Sequence, residues 1–216
     1  MKLTLHGYFR SGTSYRTRIA LNLKGLDYQY CPVNLLKDEQ KQSLFTTLNP
    51  QGLVPALEVD GSVLIQSPAI IEWLDERFPQ PPLLPTNAEQ RARVRALAAV
   101  IGCDIHPINN KRILDYLRTQ FSADQSTVNA WSGTWIDAGF KALEALLKDD
   151  HDRTTFCFGD APTIADVYLI PQVDSARRFG VDLEPYPLIR EIDEHCRQLD
   201  AFRNAAPMAQ PDAPQA

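Results

Sequence analysis

A short polar stretch near the start of the chain, Phe9-Arg10-Ser11-Gly12-Thr13-Ser14-Tyr15-Arg16, carries residue types that could do chemistry. It follows an alternating segment, 2–7, and precedes a run with helical spacing of apolar residues, so the pattern predicts a strand-to-helix turn. Free backbone N–H groups and the positive end of a helix dipole would lie beside the Ser11 hydroxyl, which favours an anion or a thiolate. Ser11 could also act only as the helix N-cap, and the turn alone leaves both interpretations open.

Two further segments could offer backbone groups to a ligand. Val54-Pro55 opens a strand, and an X-Pro bond adopts the cis form at a small cost, which would expose the backbone N–H and C=O of Val54. Gln66-Ser67-Pro68 begins a helix, with Ser67 predicted as the N-cap. Ile70 stands where a capping box would have Glu or Gln, so the first N–H groups stay available to an outside carboxylate.

The elements that position these segments form a small α/β domain. Strand patterns over 2–7 and 28–33 flank the first helix, and 34–48 is a polar connector with weak helical character. Asp60-Gly61 is a strong signal for a two-residue hairpin turn. The resulting order, βαβαββα, predicts a βαβ unit followed by ββα over residues 1–80.

The remainder of the chain has helical periodicity and almost no strand signal. A proline-rich run predicts a linker over 81–90, followed by an all-helical domain over 91–204. Within it, Pro107 should kink or divide a long helix, and His106 and Asn110, four residues apart, would share a helical face. The last segment, 205–216, has three prolines and little bulky apolar character, so we expect a flexible tail.

Two motifs of the helical half are typical of helix ends, which is a structural role rather than a catalytic one. Thr163 and Asp166 have the spacing of a capping box at the start of a helix. Arg177 and Arg178 fall in the last turn of that helix, where they could complement the dipole or bind an anionic ligand.

Composition excludes several classes of function. The net charge is −5 and no block of Lys or Arg is present, so we expect neither nucleic acid nor an anionic membrane as a partner. No segment has the pattern of a signal peptide or a membrane span, which favours the cytoplasm. The four cysteines are scattered and form no metal-binding pattern, so we expect reduced thiols and no metal site.

Taken in order, these motifs resemble the cytosolic glutathione transferases along nearly the whole chain. Segment 10–21 is similar to the zeta-class pattern Ser-Ser-Cys-x-Trp-Arg-x-Arg-Ile-Ala-Leu, with Thr13 in the place of Cys and Tyr15 in the place of Trp. Segments 102–110 and 175–179 are most similar to the glutathione-dependent maleylpyruvate isomerases. The resemblance implies a thioredoxin-like α/β domain followed by an all-α domain. Because the turn holds no cysteine, Ser11 remains the candidate activator.

The resemblance also implies a glutathione site. Ser11 would bind the sulfur, Val54 before Pro55 would pair its backbone with the cysteinyl part, and Gln66 and Ser67 would hold the γ-glutamyl carboxylate. Further candidates are Gln40 for the glycyl end and, from the helical domain, His106, Asn110, Lys111 and Arg112.

The implied activity is a cis–trans isomerisation of maleylpyruvate, in which glutathione thiolate adds to the double bond and is later expelled. Arg10 and Arg177 would bind the two carboxylates of this small keto-acid substrate, since guanidinium binds carboxylate bidentately. A homodimer is implied as well. Three alternatives stay open: a maleylacetoacetate isomerase, a transferase that conjugates glutathione to apolar electrophiles, and a binding protein without turnover.

Overall fold

The computed structural model describes residues 1–214, which group into two compact units. The first unit contains Met1–Leu83 together with the chain from Gln198 to the end of the described residues, and the second contains Leu84–Arg197. The expected helical domain ran to 204. Residues 198–204 instead belong with the first unit, so that unit is discontinuous in sequence.

The first unit is built on a four-stranded sheet with the order β2-β1-β3-β4. Its strands are β1 (Leu3–Gly7), β2 (Gln29–Pro32), β3 (Ala56–Val59) and β4 (Ser62–Ile65). β1 pairs parallel with β2 and antiparallel with β3, which forms a hairpin with β4. Asp60 and Gly61 both have positive φ, 47° and 88°, as the predicted type I′ turn requires.

Three helices complete this α/β arrangement, which confirms the predicted βαβαββα order. They are α1 (Gly12–Leu23), the short α2 (Ser43–Thr46) and α3 (Ser67–Arg77), and 3₁₀ turns cover Leu35–Lys37 and Glu39–Lys41. α1 packs against α3, and Ile19 of α1 and Ile70 and Leu74 of α3 are fully buried. The apolar spacing that predicted these helices therefore faces the core.

The second unit is helical, as predicted. It contains α4 (Ala88–Ala99), α5 (Lys111–Gln120), α6 (Gln125–Asp149), α7 (Ile164–Arg178) and α8 (Pro187–Gln198). A π-helical turn, Val100–Ile105, and a 3₁₀ turn, Pro107–Asn109, separate α4 from α5, so Pro107 does divide the predicted helix. The predicted capping box is confirmed: the Asp166 carboxylate accepts from both the N–H and the hydroxyl of Thr163.

The described chain contains no helix that is both long and apolar enough to cross a bilayer.

The segment after α8 differs from the expected flexible tail. α9 (Asp200–Arg203) packs against α1, Ala205 is fully buried, and Gln210 is only 8% exposed. The Gln210 side chain donates to the carbonyls of Asn204 and Ala206, at 2.8 and 3.0 Å. Hydrogen bonds hold the segment together with the buried Phe202 and Ala205, and the hydrogen bonds leave no mark in its composition, which suggested disorder. The expectation for residues 215–216 lies outside the described residues.

Candidate active site

Ser11 is the N-cap of α1. Its backbone is extended, with φ −69° and ψ 122°, and its Oγ accepts a hydrogen bond from the Ser14 N–H over 3.3 Å. The Ser11 N–H donates to the Tyr8 carbonyl at 3.0 Å, which closes the turn after β1. The cap uses only a lone pair of Oγ, so the hydroxyl hydrogen is left to donate elsewhere. The two interpretations of this residue are therefore compatible.

The Thr13 hydroxyl connects Ser11 to the loop before β3. The Oγ atoms of Ser11 and Thr13 are 2.9 Å apart, and Thr13 Oγ1 donates to the Val54 carbonyl oxygen at 2.9 Å. A hydroxyl has one hydrogen, so Thr13 accepts from Ser11 when it donates to Val54. Sequence reasoning identified Thr13 only as a departure from Cys and missed this contact, for which the pattern holds no signal.

The Val54-Pro55 bond is cis, as the sequence suggested it could be. Val54 is half-buried and Pro55 is buried at the start of β3. The Val54 carbonyl accepts the Thr13 hydroxyl, and its second lone pair can still accept from a ligand. That the Val54 backbone N–H and C=O bind a ligand stays a prediction. A second cis bond, Gln80-Pro81, was not foreseen.

The N-terminus of α3 has the features of an anion site. The helix begins at Ser67 with Gln66 as the N-cap, one residue earlier than predicted, and no acidic residue lies in its first turn. Gln66 has φ 69°, a left-handed conformation that is uncommon for a residue other than glycine. Ser67 is 2% exposed, whereas Gln66 is exposed and donates its amide to the Gln51 side chain. This end of α3 can hold a carboxylate through its backbone N–H groups.

Gln40 is buried beside the loop that leads to Val54. Its Nε2 donates to Asp38 at 3.1 Å, and its Oε1 is buried with no hydrogen-bond partner among the described residues. Gly52, with φ 61°, lies so close that an added Cβ would be 2.9 Å from the Gln40 carbonyl oxygen. The orphaned Oε1 can accept a hydrogen bond from a ligand.

Arg10 is the basic residue next to Ser11. It is exposed, and its guanidinium carbon lies 6.0 Å from the centroid of the Phe9 ring. The charge therefore stays in solvent, within reach of an anion that binds beside the turn.

Four predicted ligands belong to the second unit, around the break between α4 and α5. Asn110 caps α5 and accepts from the Arg112 N–H at 3.1 Å, while Lys111 pairs with Asp115. His106 follows the π-helical turn. The expectation that His106 and Asn110 share a helical face is wrong, because Asn110 has an extended backbone, with φ −67° and ψ 148°.

Arg177, in the last turn of α7, pairs with Asp193 of α8. Asp193 is 1% exposed and also accepts from the Nε of Arg197 at 2.9 Å, whereas the Arg177 side chain is 45% exposed. Arg178 instead lies over the ring of Phe179, at 4.8 Å. Arg177 is thus held by a buried carboxylate and keeps donors on its exposed side.

No group of His, Cys, Asp and Glu within the described residues could hold a metal ion.

A thioredoxin-like sheet with a serine-capped first helix, a cis-proline loop and a helical second unit defines a glutathione S-transferase. Residues 10–77 match the glutathione S-transferase N-terminal domain, and residues 134–203 match the glutathione S-transferase C-terminal domain. The chain belongs to this family, as its motifs predicted.

Within this family, the chain is similar to isomerases that act on maleyl keto acids. The maleylpyruvate isomerase of Ralstonia sp. is 63% identical over 98% of this chain and 100% of its own length. A holo structure of maleyl pyruvate isomerase, a bacterial Zeta-class glutathione S-transferase, aligns with a TM-score of 0.97 and 63% identity, over 98% of this chain and 100% of the other. The maleylacetoacetate isomerase of Anaeromyxobacter dehalogenans, with glutathione bound in its active site, aligns with a TM-score of 0.88 and 46% identity, over 99% and 98%.

Proposed function

We propose that this protein is a glutathione-dependent cis–trans isomerase that converts maleylpyruvate to fumarylpyruvate. The observation that carries the proposal is the Ser11 hydroxyl at the N-terminus of α1, joined through Thr13 to the cis Val54-Pro55 loop, in a turn without cysteine. The high identity to an isomerase of this specificity supports the choice of substrate.

The residues of the first unit fit glutathione. The tripeptide has a thiol, two carboxylates and backbone amides. The unit offers a hydroxyl beside a helix dipole, the acid-free N-terminus of α3 with buried Ser67, and the Oε1 of Gln40, which has no partner among the described residues. Ser11 would hold the sulfur, Gln66 and Ser67 the γ-glutamyl carboxylate, and Gln40 the glycyl end.

When bound, glutathione supplies a thiolate that adds to the cis double bond, allows rotation about the resulting single bond, and is expelled unchanged. Ser11 has to lower the thiol pKa by donating its hydroxyl hydrogen to the sulfur, and the positive end of α1 acts in the same direction. To do so, Ser11 must turn its hydrogen from Thr13 Oγ1 towards the sulfur. Both groups favour the anion, so the thiolate is available near neutral pH.

The substrate has two carboxylates and develops negative charge at its ketone oxygen. Arg10, adjacent to Ser11 and exposed, is the candidate for one carboxylate and for this charge. Arg177 is the candidate for the other carboxylate, since its pairing with buried Asp193 fixes the guanidinium while its exposed side still presents donors. His106, Asn110, Lys111 and Arg112 remain candidate ligands from the helical unit.

The test is the ultraviolet spectrum of maleylpyruvate and, separately, maleylacetoacetate, mixed with the purified protein with and without catalytic glutathione. We expect faster turnover of maleylpyruvate, complete at glutathione concentrations far below that of the substrate. Faster turnover of maleylacetoacetate would favour the tyrosine-pathway alternative. Conjugation of a chlorinated aromatic without isomerisation would identify a transferase, and glutathione binding with no turnover would identify a binding protein.

We also infer a cytoplasmic homodimer. The support for both is the resemblance to the cytosolic transferases. Sedimentation of the purified protein tests the dimer, and a monomer at micromolar concentration would contradict it.

A further inference from the structure

The chain just before Ser11 is held by residues from the far end of the sequence. Asp212 accepts a hydrogen bond from the Phe9 N–H at its Oδ2, over 2.9 Å, although the two residues are 203 positions apart. The Tyr30 hydroxyl of β2 also donates to Oδ2, at 3.4 Å. The Phe9 peptide is therefore fixed from its amide side by a carboxylate.

The carbonyl side of the same stretch is fixed by a buried arginine. Arg18 is fully buried and donates to the carbonyls of Phe9, at 2.9 Å, and Tyr8, at 3.4 Å. Its Nε donates to the Ala205 carbonyl at 2.8 Å, so one guanidinium joins the turn before Ser11 to the segment after α9. Burial lowers the pKa of Arg18, and Tyr30, more than Asp212, acts in the opposite direction.

The segment that carries Asp212 is itself ordered by several independent contacts. Asn22 of α1 donates to the Ala201 carbonyl at 2.9 Å, and Gln210 closes the chain between α9 and Asp212 with its two hydrogen bonds. Nothing in the proposed mechanism uses these groups. They order the segment from which Asp212 accepts the Phe9 N–H.

We propose that Asp212 is a positioning residue for the glutathione site: by holding the Phe9 N–H, it sets the backbone that places Arg10 and Ser11. Asp212 does not touch the ligand and acts through two intervening peptide units. The inference rests on the proposed role of Ser11 as the sulfur ligand. A small displacement of a group that binds a reacting atom costs far more than its hydrogen bond alone would suggest.

Three variants of Asp212 separate an acceptor role from a charge role. Asp212→Asn keeps an acceptor for the Phe9 N–H and loses the charge. Asp212→Glu keeps the charge and moves the oxygens by one methylene, and Asp212→Ala loses both. Asp200→Ala is the matched control, since Asp200 lies in the same segment, is 77% exposed and pairs with exposed Arg203.

The readouts are the pKa of the thiol of bound glutathione, from thiolate absorbance against pH, the KM for glutathione, and thermal unfolding. We expect Asp212→Asn and Asp200→Ala to stay within about twofold of the wild type in KM. Asp212→Glu and Asp212→Ala should raise the KM for glutathione about tenfold and raise the thiol pKa. If Asp212→Ala does not fold, the comparison of Asp212→Asn with Asp212→Glu is enough to separate the acceptor role from the charge role.

Two results would overturn the inference. One is a loss of thermal stability in Asp212→Glu and Asp212→Ala with the thiol pKa and the KM unchanged, which means a purely structural role. The other is a shift in Asp212→Asn equal to or larger than that in Asp212→Glu, which means that charge matters and the acceptor does not. Glutathione binding and thiol pKa are measurable whether or not maleylpyruvate is turned over, so failure of the proposed isomerase activity would be recognised separately.

Discussion

The Thr13 hydroxyl lies between Ser11 Oγ and the Val54 carbonyl oxygen, 2.9 Å from each. Ser11 belongs to the candidate sulfur site and Val54 to the cis-proline loop that would bind the peptide part of glutathione. One hydroxyl therefore couples two parts of the ligand site. It accepts from the first and donates to the second, so a substitution that removes the Thr13 hydroxyl alters both.

Thr13→Val should lower the pKa of the bound glutathione thiol and raise the KM for glutathione. With no acceptor beside it, Ser11 keeps its hydrogen for the sulfur, and the pKa of bound glutathione thiol should fall. The Val54 carbonyl loses its donor, so the KM for glutathione should rise several-fold, roughly the effect of one hydrogen bond. Thiolate absorbance against pH and steady-state kinetics measure the two effects. Thr13→Ser keeps both bonds and is the control. A higher thiol pKa in Thr13→Val would mean that Thr13 donates to Ser11 instead of accepting from it.

Ser11→Ala should remove most of the activity. Without the hydroxyl donor the thiol pKa rises and the isomerisation rate at neutral pH should fall by about 100-fold. Loss of the N-cap should cost only about 1 kcal/mol in the free energy of unfolding, so the variant should fold. Ser62→Ala, at an exposed position of β4, serves as the control. Near-normal rates in Ser11→Ala would mean that another group activates the sulfur.

Arg10→Ala should distinguish an isomerase for dicarboxylates from a transferase for apolar electrophiles. Loss of the guanidinium should raise the KM for maleylpyruvate about tenfold or more, because a charge-assisted bidentate contact disappears. Conjugation of an apolar electrophile and the KM for glutathione should stay near wild-type values. Arg10→Lys should restore only part of the loss, since ammonium does not bind carboxylate bidentately. Equal losses with both substrates would point to a general role of Arg10 in the turn.

Gly139→Ala should destabilise the helical unit. A Cβ at this position of α6 would collide with Cδ1 of Ile105 in the π-helical turn and lie 2.6 Å from its Cγ1, so one of the two residues must move. We expect the free energy of unfolding, measured by urea denaturation, to fall by about 1–3 kcal/mol. Adding Ile105→Val, which removes Cδ1, should restore part of this loss. Gly133→Ala on the same helix meets only Val181 at 3.7 Å and should be neutral or slightly stabilising. Similar free energies of unfolding for Gly139→Ala and Gly133→Ala would contradict the close packing of Gly139.

Local patterns in the sequence predicted the local features of the fold. Asp60-Gly61 indicated the hairpin, and the Thr163 to Asp166 spacing indicated the capping box, because each depends on residues within a few positions. The cis bond at Val54-Pro55 and the division of the helix at Pro107 follow from proline chemistry in the same way.

Contacts between residues far apart in the sequence could not be predicted from it. The Thr13–Val54 and Phe9–Asp212 bonds join residues 41 and 203 positions apart, and no periodicity or composition marks them. The segment 205–214 looked flexible because it has few bulky apolar side chains, whereas polar contacts, among them those of Gln210 and Asp212, contribute to its order. His106 and Asn110 were placed on one face because helical geometry was assumed to continue where Asn110 is in fact extended.

The discontinuity of the first unit has a consequence for synthesis on the ribosome. Residues 84–197 are translated between its two parts, so Phe9 cannot meet Asp212 until the whole helical unit has been made. Domains generally fold from the N-terminus as they emerge. In this chain the turn before Ser11 lacks its contact with Asp212 while more than one hundred residues of the second unit are synthesised. The first unit to begin folding is therefore the last to be completed.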